Sequence, residues 1–93
     1  AFAVVLELVP ADLAAKITAE LSIATIGIGA GAHTDGQVLV WTDFAGMSDE
    51  RVPRFVKQYA QLASTLRTAA ESFRDEVRNG VYPGPEHSFT DEA

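Results

Sequence analysis

Residues 2–7 read FAVVLE, a nearly unbroken apolar run that ends on a carboxylate. Apolar runs without polar alternation are typical of strands covered on both faces, as in a parallel sheet flanked by helices. Pro10 comes next, and apolar side chains then recur every four residues at Leu13, Ile17 and Leu21. Because proline is well tolerated in the first turn of a helix, this spacing predicts a short amphipathic helix over residues 10–21.

Two more β-rich runs follow the predicted helix. Residues 25–31 read TIGIGAG, and side-chain alternation places Ile26 and Ile28 on one face while the other face stays nearly bare. Residues 37–42 read QVLVWT and come directly after the turn pair DG at 35–36. The predicted order is therefore strand, helix, strand, strand.

The connection between these two runs, residues 31–36, has two interpretations. It is too short for an ordinary helical crossover, which needs about a dozen residues. The Asp-Gly pair by itself favours an antiparallel hairpin, whereas a barrel requires a return segment without its helix. The local signals leave both interpretations open.

The second half of the chain has the pattern of a helix. From Pro53 to Gly80 an apolar stripe recurs at steps of three or four residues, through Phe55, Tyr59, Leu62, Leu66, Ala69, Phe73 and Val77. The stripe fits one long helix or two shorter ones, the second capped by Ser64. Gly80 ends the pattern as a C-cap glycine would, and residues 81–93 are predicted to be irregular.

Composition narrows the function. Of the 93 residues, 47% are apolar, which predicts one small globular domain. The net charge of -6 argues against nucleic acid and anionic membranes as partners, and the absence of cysteine excludes disulfides and thiolate metal sites. Residues 1–10 are too short for a membrane span and lack a basic leader. Because the chain opens without methionine and inside a strand, we expect a large N-terminal part to be missing.

Glu7 is the main candidate for chemistry, since it interrupts an apolar run at the end of a buried strand. Burying a bare carboxylate is costly, so Glu7 should be paired, protonated or facing a polar cavity. In α/β folds the cavity lies at that end of the strands, and a partly desolvated carboxylate suits a general base. From sequence alone, a structural carboxylate bonded to a lysine or arginine explains the position equally well.

Gly27, Gly29 and Gly31 resemble a phosphate-binding loop only loosely, because the spacing is GxGxG and no amphipathic helix follows. A dinucleotide site is therefore not expected. Glycines on the inward face would leave room for a ligand or a neighbouring backbone, although plain close packing of strands is the more common reason for them.

Other polar and aromatic residues give weaker signals. His33 and Asp35 form an isolated HxD pair, which falls short of a metal-ligand set. His87 lies beside Glu86 in the tail, and we expect it in solvent, at a contact surface or over a site contributed by other segments. Trp41 is expected in the core.

Three segments together resemble ketopantoate hydroxymethyltransferase in their order and spacing: VLELVP at 5–10, TIGIGAG at 25–31 with DGQVLV at 35–40, and YPGPEHSF at 82–89. The resemblance extends over essentially the whole chain. Its departures are Leu8 where the family often has cysteine, Ala24 where proline often precedes the glycine strand, and a variable loop at Ala32 and His33. The family offers no role for His33.

The resemblance implies an α/β fold, a (β/α)8 TIM-type barrel of which this chain supplies the last part. Residues 1–52 would form final strands of the barrel, residues 53–80 the C-terminal helices and residues 81–93 the irregular tail. Glu7 falls on the proton acceptor of the family. The resemblance also implies Mg²⁺ held by ligands outside this chain, and a large cytoplasmic homo-oligomer.

The implied reaction transfers a hydroxymethyl unit from 5,10-methylenetetrahydrofolate to 2-oxoisovalerate, giving 2-dehydropantoate for pantothenate and coenzyme A biosynthesis. One alternative is another magnesium-dependent 2-oxoacid barrel enzyme, a lyase or mutase, which the segment at 82–89 disfavours. A second alternative is a non-catalytic assembly segment that contributes only helical contacts to an oligomer.

Overall fold

The computed structural model describes residues 1–48 and 51–91 of the chain. Its regular elements, in chain order, are strand β1 (Ala3–Glu7), helix α1 (Ala11–Glu20), strands β2 (Ala24–Ile28) and β3 (Gly36–Gln37), helices α2 (Trp41–Phe44) and α3 (Leu62–Arg78), and a 3₁₀ turn (Pro85–His87). The predicted order of strand, helix, strand, strand is confirmed.

The three strands form one sheet in which β2 is central and every neighbouring pair is parallel. Glu7 pairs with Ile28 on one side of β2, and Gly36 pairs with Ile26 on the other side. The hairpin interpretation of the Asp-Gly pair is therefore wrong. The return segment without a helix is confirmed.

This return segment, residues 29–35, runs from the end of β2 back to its start without forming a helix. Gly29 and Gly31 have positive φ angles of 64° and 83°, a conformation that glycine adopts without steric cost. A Cβ on Gly31 would lie 2.5 Å from the Ala11 Cβ, so the segment passes tightly over the first turn of α1. Two left-handed glycines and this close approach replace the usual crossover helix.

Thr25 anchors the far end of the return segment. Its side chain is completely buried, and its hydroxyl lies 2.8 Å from the Thr18 hydroxyl of α1. The Asp35 N–H donates to the Thr25 hydroxyl at 3.1 Å, while the Asp35 carboxylate accepts from the Thr25 N–H at 2.8 Å. Helix, strand and return segment thus meet at one buried hydroxyl group.

The helix α1 and the return segment cover the same face of the sheet. Thr25 faces α1, and alternation places Gly27 on that face too, where an added Cβ would lie 2.7 Å from the Thr34 hydroxyl. Close packing therefore explains Gly27, and the interpretation of this glycine as room for a ligand is wrong. Alternation places Val5 and Glu7 on the opposite face, where Val5 is 57% exposed.

The third β-rich run is mostly not a strand. Only Gly36–Gln37 pair with β2, and the Val38 N–H still donates to the Gly27 carbonyl at 3.0 Å. The chain then turns into α2, which begins at Trp41. Because Trp41 is 58% exposed, its prediction as a core residue is wrong.

The helix of the second half begins later than predicted. α3 starts at Leu62 with Gln61 as its N-cap, so Ser64 lies inside the helix and does not cap one. Phe55 and Tyr59 precede the helix, although the apolar stripe had included them. The division of the chain at residues 52 and 80 into barrel, helices and tail stays a prediction.

Hydrogen bonds to α2 explain this late start. The Tyr59 N–H donates to the Phe44 carbonyl at 2.7 Å, and the Leu62 N–H donates to the Ala45 carbonyl at 2.9 Å. These backbone donors are therefore used between segments and are not available for a helical turn before residue 62. At the other end, Gly80 has a φ angle of 71°, which confirms its predicted place after the last helical turn.

The tail is irregular apart from the 3₁₀ turn, as predicted, and residues 92–93 lie outside the described part. In the turn, the His87 Nδ1 accepts from the Gly84 N–H at 3.1 Å, and its ring lies 5.0 Å from the Tyr82 ring. The His87 side chain is about half exposed, and its contacts stabilise the local structure of the tail. None of the described helices is long and apolar enough to cross a membrane.

The chain is far from compact. Its radius of gyration is 22.6 Å, whereas a compact domain of this length has about 12 Å. Its accessible surface of 7357 Å² exceeds that of a compact protein of equal mass by about 2,000 Å². Leu66, Phe73 and Val77 on α3 are 50%, 59% and 48% exposed. An apolar stripe of this kind normally packs against another protein surface and is not left exposed to water.

Thr25→Val tests the buried anchor. Valine keeps the shape of threonine but removes the hydroxyl, so the Asp35 N–H and the Thr18 hydroxyl lose a buried partner. We expect the free energy of unfolding, measured by urea denaturation, to fall by about 1–3 kcal/mol.

Thr65→Val is the matched control, because the Thr65 hydroxyl bonds the Gln61 carbonyl on the exposed surface of α3. Its effect should stay within about 0.5 kcal/mol. Equal losses in the Thr25 and Thr65 variants would contradict the anchoring role of Thr25.

Candidate functional site

The carboxyl ends of the three parallel strands lie at one edge of the sheet. Glu7, Ile28 and Gln37 are the last residues of β1, β2 and β3. In open α/β sheets and in barrels, ligands bind outside this edge. The Glu7 side chain is exposed on the face opposite α1, and it takes part in no ion pair among the described residues.

Leu8 turns the chain sharply behind Glu7. Its φ angle of 57° lies in the left-handed region, which is uncommon for a residue with a branched side chain. The Leu8 N–H donates to the Ile28 carbonyl at 3.0 Å, so the turn stays bonded to the end of β2. Backbone strain of this kind is concentrated at functional sites, and here it follows directly after the candidate carboxylate.

Two adjoining hollows lie along this edge, and together we call them the carboxyl-edge groove. The first, of about 550 Å³, is lined by Gly29, Gln37, Val38, Leu39, Phe44, Phe55, Lys57 and Tyr59. The second, of about 710 Å³, is lined by Leu8, Gly29, Ala30, Gly31, Ala32, Gln37, Arg54 and Phe55. Gly29, Gln37 and Phe55 border both hollows, which makes the groove continuous.

Gly29 allows the segment after Pro53 to approach the strand ends. An added Cβ there would lie 2.9 Å from the Leu8 Cδ2 and 3.0 Å from the Phe55 ring. Phe55 therefore rests on the end of β2, and Arg54 and Lys57 flank it within the groove. The sequence reasoning missed both cations, because it assigned this segment to a helix.

Gln37 holds the return segment at the rim of the groove. Its side-chain amide donates to the Gly31 carbonyl at 2.8 Å and to the Thr34 hydroxyl at 3.1 Å. The second glycine of the return segment is thereby fixed beside the groove. Of the three glycines considered from sequence, Gly29 and Gly31 line the groove and Gly27 does not.

The remaining sequence candidates do not join the groove. His33 is exposed, and the Asp35 carboxylate is bonded to Thr25 at the opposite end of β2. In residues 1–48 and 51–91 no group of three or more His, Cys, Asp or Glu side chains is arranged to hold a metal ion. The described part of the chain is thus α/β with a parallel sheet, and it has a carboxylate and a groove at the edge where small molecules bind in such folds.

Comparison with known proteins makes this assignment specific. A sequence profile described as ketopantoate hydroxymethyltransferase matches residues 1–85. Over 89 residues the chain is 66% identical to the 3-methyl-2-oxobutanoate hydroxymethyltransferase of Leifsonia xyli subsp. xyli, 65% to that of Frankia alni and 63% to that of Saccharopolyspora erythraea. Each alignment covers 96% of this chain.

The chain belongs to the ketopantoate hydroxymethyltransferase family, which confirms the resemblance found in the sequence. It spans about a third of the length of these relatives, covering 32%, 29% and 30% of them.

Gly29→Ala tests how the groove is built. The added methyl group would meet Leu8 and Phe55 at a residue that already has a left-handed φ angle. We expect a loss of about 1–3 kcal/mol in the free energy of unfolding, from overpacking and backbone strain together. Thermal or urea denaturation measures it.

Gly36→Ala is the matched control, because no atom lies within 4 Å of its added Cβ and its φ angle is not positive. If both alanine variants were equally stable, Gly29 would not be required for the contact between Phe55 and the strand end.

Proposed function

We propose that this chain is the carboxyl-terminal part of an enzyme that transfers a hydroxymethyl unit to 2-oxoisovalerate, with Glu7 as the catalytic base. The one-carbon donor is 5,10-methylenetetrahydrofolate, and the product is 2-dehydropantoate. The observation that carries the proposal is the position of Glu7 in a member of this family. It ends a strand at the carboxyl edge, on the face opposite α1.

We also propose that the sheet is the closing part of a (β/α)8 barrel. The face opposite α1 would then be the barrel interior, which is filled with branched apolar side chains in such barrels. Alternation puts Val5, Ile26 and Ile28 on this face, and these residue types fit the proposal. Glu7 at the rim of that interior would be partly desolvated and would face the substrate.

The proposed reaction begins with loss of the C3 proton of 2-oxoisovalerate. The Glu7 carboxylate accepts this proton, and an enolate is left with a nucleophilic C3. Water breaks the two carbon–nitrogen bonds of the donor's methylene group, which releases tetrahydrofolate and leaves the one-carbon unit at the oxidation level of formaldehyde. C3 then attacks this carbon, a carbon–carbon bond forms, and the oxygen takes up the proton from Glu7 to become the new hydroxyl group.

The family resemblance implies Mg²⁺, which would stabilise the enolate through the substrate oxygens. The described part of this chain does not fit such a site, because it has no cluster of three candidate ligands. By the resemblance, the ligands of Mg²⁺ lie outside this chain, and we propose the same arrangement here.

The uncovered surfaces fit a part of a larger assembly. We propose that the rest of the barrel covers the sheet, and that the α3 stripe packs on the barrel or on another subunit of a homo-oligomer. The excess surface of about 2,000 Å² is of the size buried in stable protein interfaces. The cytoplasmic location stays a prediction.

Family membership favours hydroxymethyl transfer over lyase or mutase chemistry in a related 2-oxoacid barrel. The assembly-segment alternative is also less favoured, because assembly alone gives no reason for a carboxylate at the end of β1. Substitution of Glu7 distinguishes a catalytic role of this chain from an assembly role.

Glu7→Gln in the full-length enzyme should lower kcat for 2-dehydropantoate formation by about 10²- to 10⁴-fold, the usual contribution of a general base. Glutamine keeps the size of the side chain and removes its ability to accept a proton. The assay follows product formation from 2-oxoisovalerate and 5,10-methylenetetrahydrofolate, with both substrates and magnesium at saturating concentrations.

Glu20→Gln is the matched control, since Glu20 is the exposed last residue of α1 and lies away from the groove. It should leave kcat unchanged. Full activity of the Glu7 variant would return Glu7 to a structural role, and an inactive parent enzyme would overturn the proposed reaction.

A further inference from the structure

The backbone at Leu8, directly after Glu7, has a conformation that leucine rarely adopts. Its φ angle of 57° lies in the left-handed region, where the Cβ of an L-residue crowds the following carbonyl oxygen. Of the non-glycine residues that the structure describes, Leu8 alone has a positive φ angle. A strained conformation of this kind persists only where the surrounding structure fixes it.

Three contacts fix the backbone at this point. The Leu8 N–H donates to the Ile28 carbonyl at 3.0 Å, directly beyond the last paired residues of β1 and β2. The Leu8 side chain lies against Gly29, where an added Cβ would be 2.9 Å from the Leu8 Cδ2. Two residues further on, the Pro10 carbonyl accepts the first hydrogen bond of α1 at 2.9 Å. The chain therefore has little freedom immediately after Glu7.

The Glu7 side chain, in contrast, is not held by its own contacts. It is exposed and takes part in no ion pair among the described residues. A general base must lie within hydrogen-bonding distance of the proton that it removes, and a displacement of about 1 Å can lower a rate by about 10²-fold. The direction of the Glu7 side chain thus depends on the backbone, and the turn at Leu8 is the nearest fixed point.

Packing within the described part of the chain does not explain a leucine at this position. The Leu8 side chain is 63% exposed. Glycine would adopt the left-handed conformation without steric cost, and it would suffice if the turn only had to redirect the chain. Leucine differs from glycine here in two ways: it makes the contact with Gly29, and it removes the conformational freedom of a glycine next to Glu7.

We propose that Leu8 is a positioning residue for the base. Its left-handed turn, bonded to Ile28 and packed on Gly29, directs the Glu7 carboxylate toward the C3 proton of 2-oxoisovalerate. This inference rests on the proposed function, which makes Glu7 the base. Leu8 acts only through Glu7 and takes no part in proton transfer itself.

The test measures exchange of the C3 proton of 2-oxoisovalerate in D₂O, catalysed by the full-length enzyme with magnesium. Leu8→Gly and Leu8→Asn both remove the contact with Gly29, and both residue types tolerate a left-handed φ angle. Leu8→Met keeps an apolar side chain of similar volume. Leu21→Gly is the matched control, because Leu21 is also an exposed leucine but follows α1 with an ordinary φ angle of -84°.

Leu8→Gly and Leu8→Asn should lower the maximal exchange rate by about 10- to 100-fold, the cost of a misplaced catalytic group. The KM for 2-oxoisovalerate should not change, because Leu8 directs the base and does not bind the substrate. Leu8→Met should recover most of the lost rate, and Leu21→Gly should not lower it. Leu8→Gly and Leu21→Gly should have similar melting temperatures, so that a general loss of stability does not account for the difference in rate.

A double-mutant cycle separates positioning from a structural role. When Glu7→Gln is already present, adding Leu8→Gly should lower the residual exchange rate no further, because a residue that acts through Glu7 has no effect once the base is gone. A structural role of Leu8 would instead lower the rate by the same factor with and without Glu7.

Unchanged exchange in both Leu8→Gly and Leu8→Asn would overturn the inference and leave Glu7 as the base. An equal loss in Leu21→Gly, or the same factor of loss in the Glu7→Gln background, would also overturn it. Failure of the proposed function has a different signature. In that case Glu7→Gln alone would exchange at the rate of the intact enzyme, which would reject Glu7 as the base and Leu8 as its positioning residue together.

Discussion

The buried hydroxyl of Thr25 and the carboxylate of Asp35 hold the sheet in its parallel arrangement. A parallel pair normally needs a helical crossover, and here residues 29–35 make the return without a helix. The reciprocal bonds between Thr25 and Asp35 fix the end of that return beside the start of β2. As a result, β3 pairs with β2 in a register that places Gln37 and the following residues at the same edge of the sheet as Glu7.

Residues from three parts of the chain come together at the carboxyl edge of the sheet. Glu7 and the strained Leu8 come from β1, the glycines from β2 and the return segment, and Arg54 and Lys57 from the segment that precedes α3. These last residues reach the edge because backbone donors at Tyr59 and Leu62 bond to the end of α2. In the described part of the chain, the buried apolar residues are Ala14, Ala30 and Val56. Much of the positioning therefore depends on hydrogen bonds.

Sequence patterns predicted the elements whose signals are local. β1 and α1 follow from an apolar run and from four-residue periodicity, and each begins and ends within one residue of its predicted bounds. The direction of β3 did not follow, because it depends on hydrogen bonds between Thr25 and Asp35, ten positions apart, each of which joins a backbone N–H to a side chain. Phe55 and Tyr59 continue a helical spacing but lie outside the helix, since their segment is bonded to α2. The position of Glu7 at a strand end was predictable, whereas the groove was not, although the segregation of basic residues in 51–70 was a readable signal.

The proposed role of Glu7 is to remove the C3 proton of 2-oxoisovalerate. The most direct measurement is proton NMR of 2-oxoisovalerate in D₂O with the full-length enzyme and magnesium, in the absence of any one-carbon donor. If Glu7 removes and returns the C3 proton, the methine signal should disappear through exchange with solvent deuterium at a rate that scales with enzyme concentration. A methine signal that persists at the rate seen without enzyme would contradict the account.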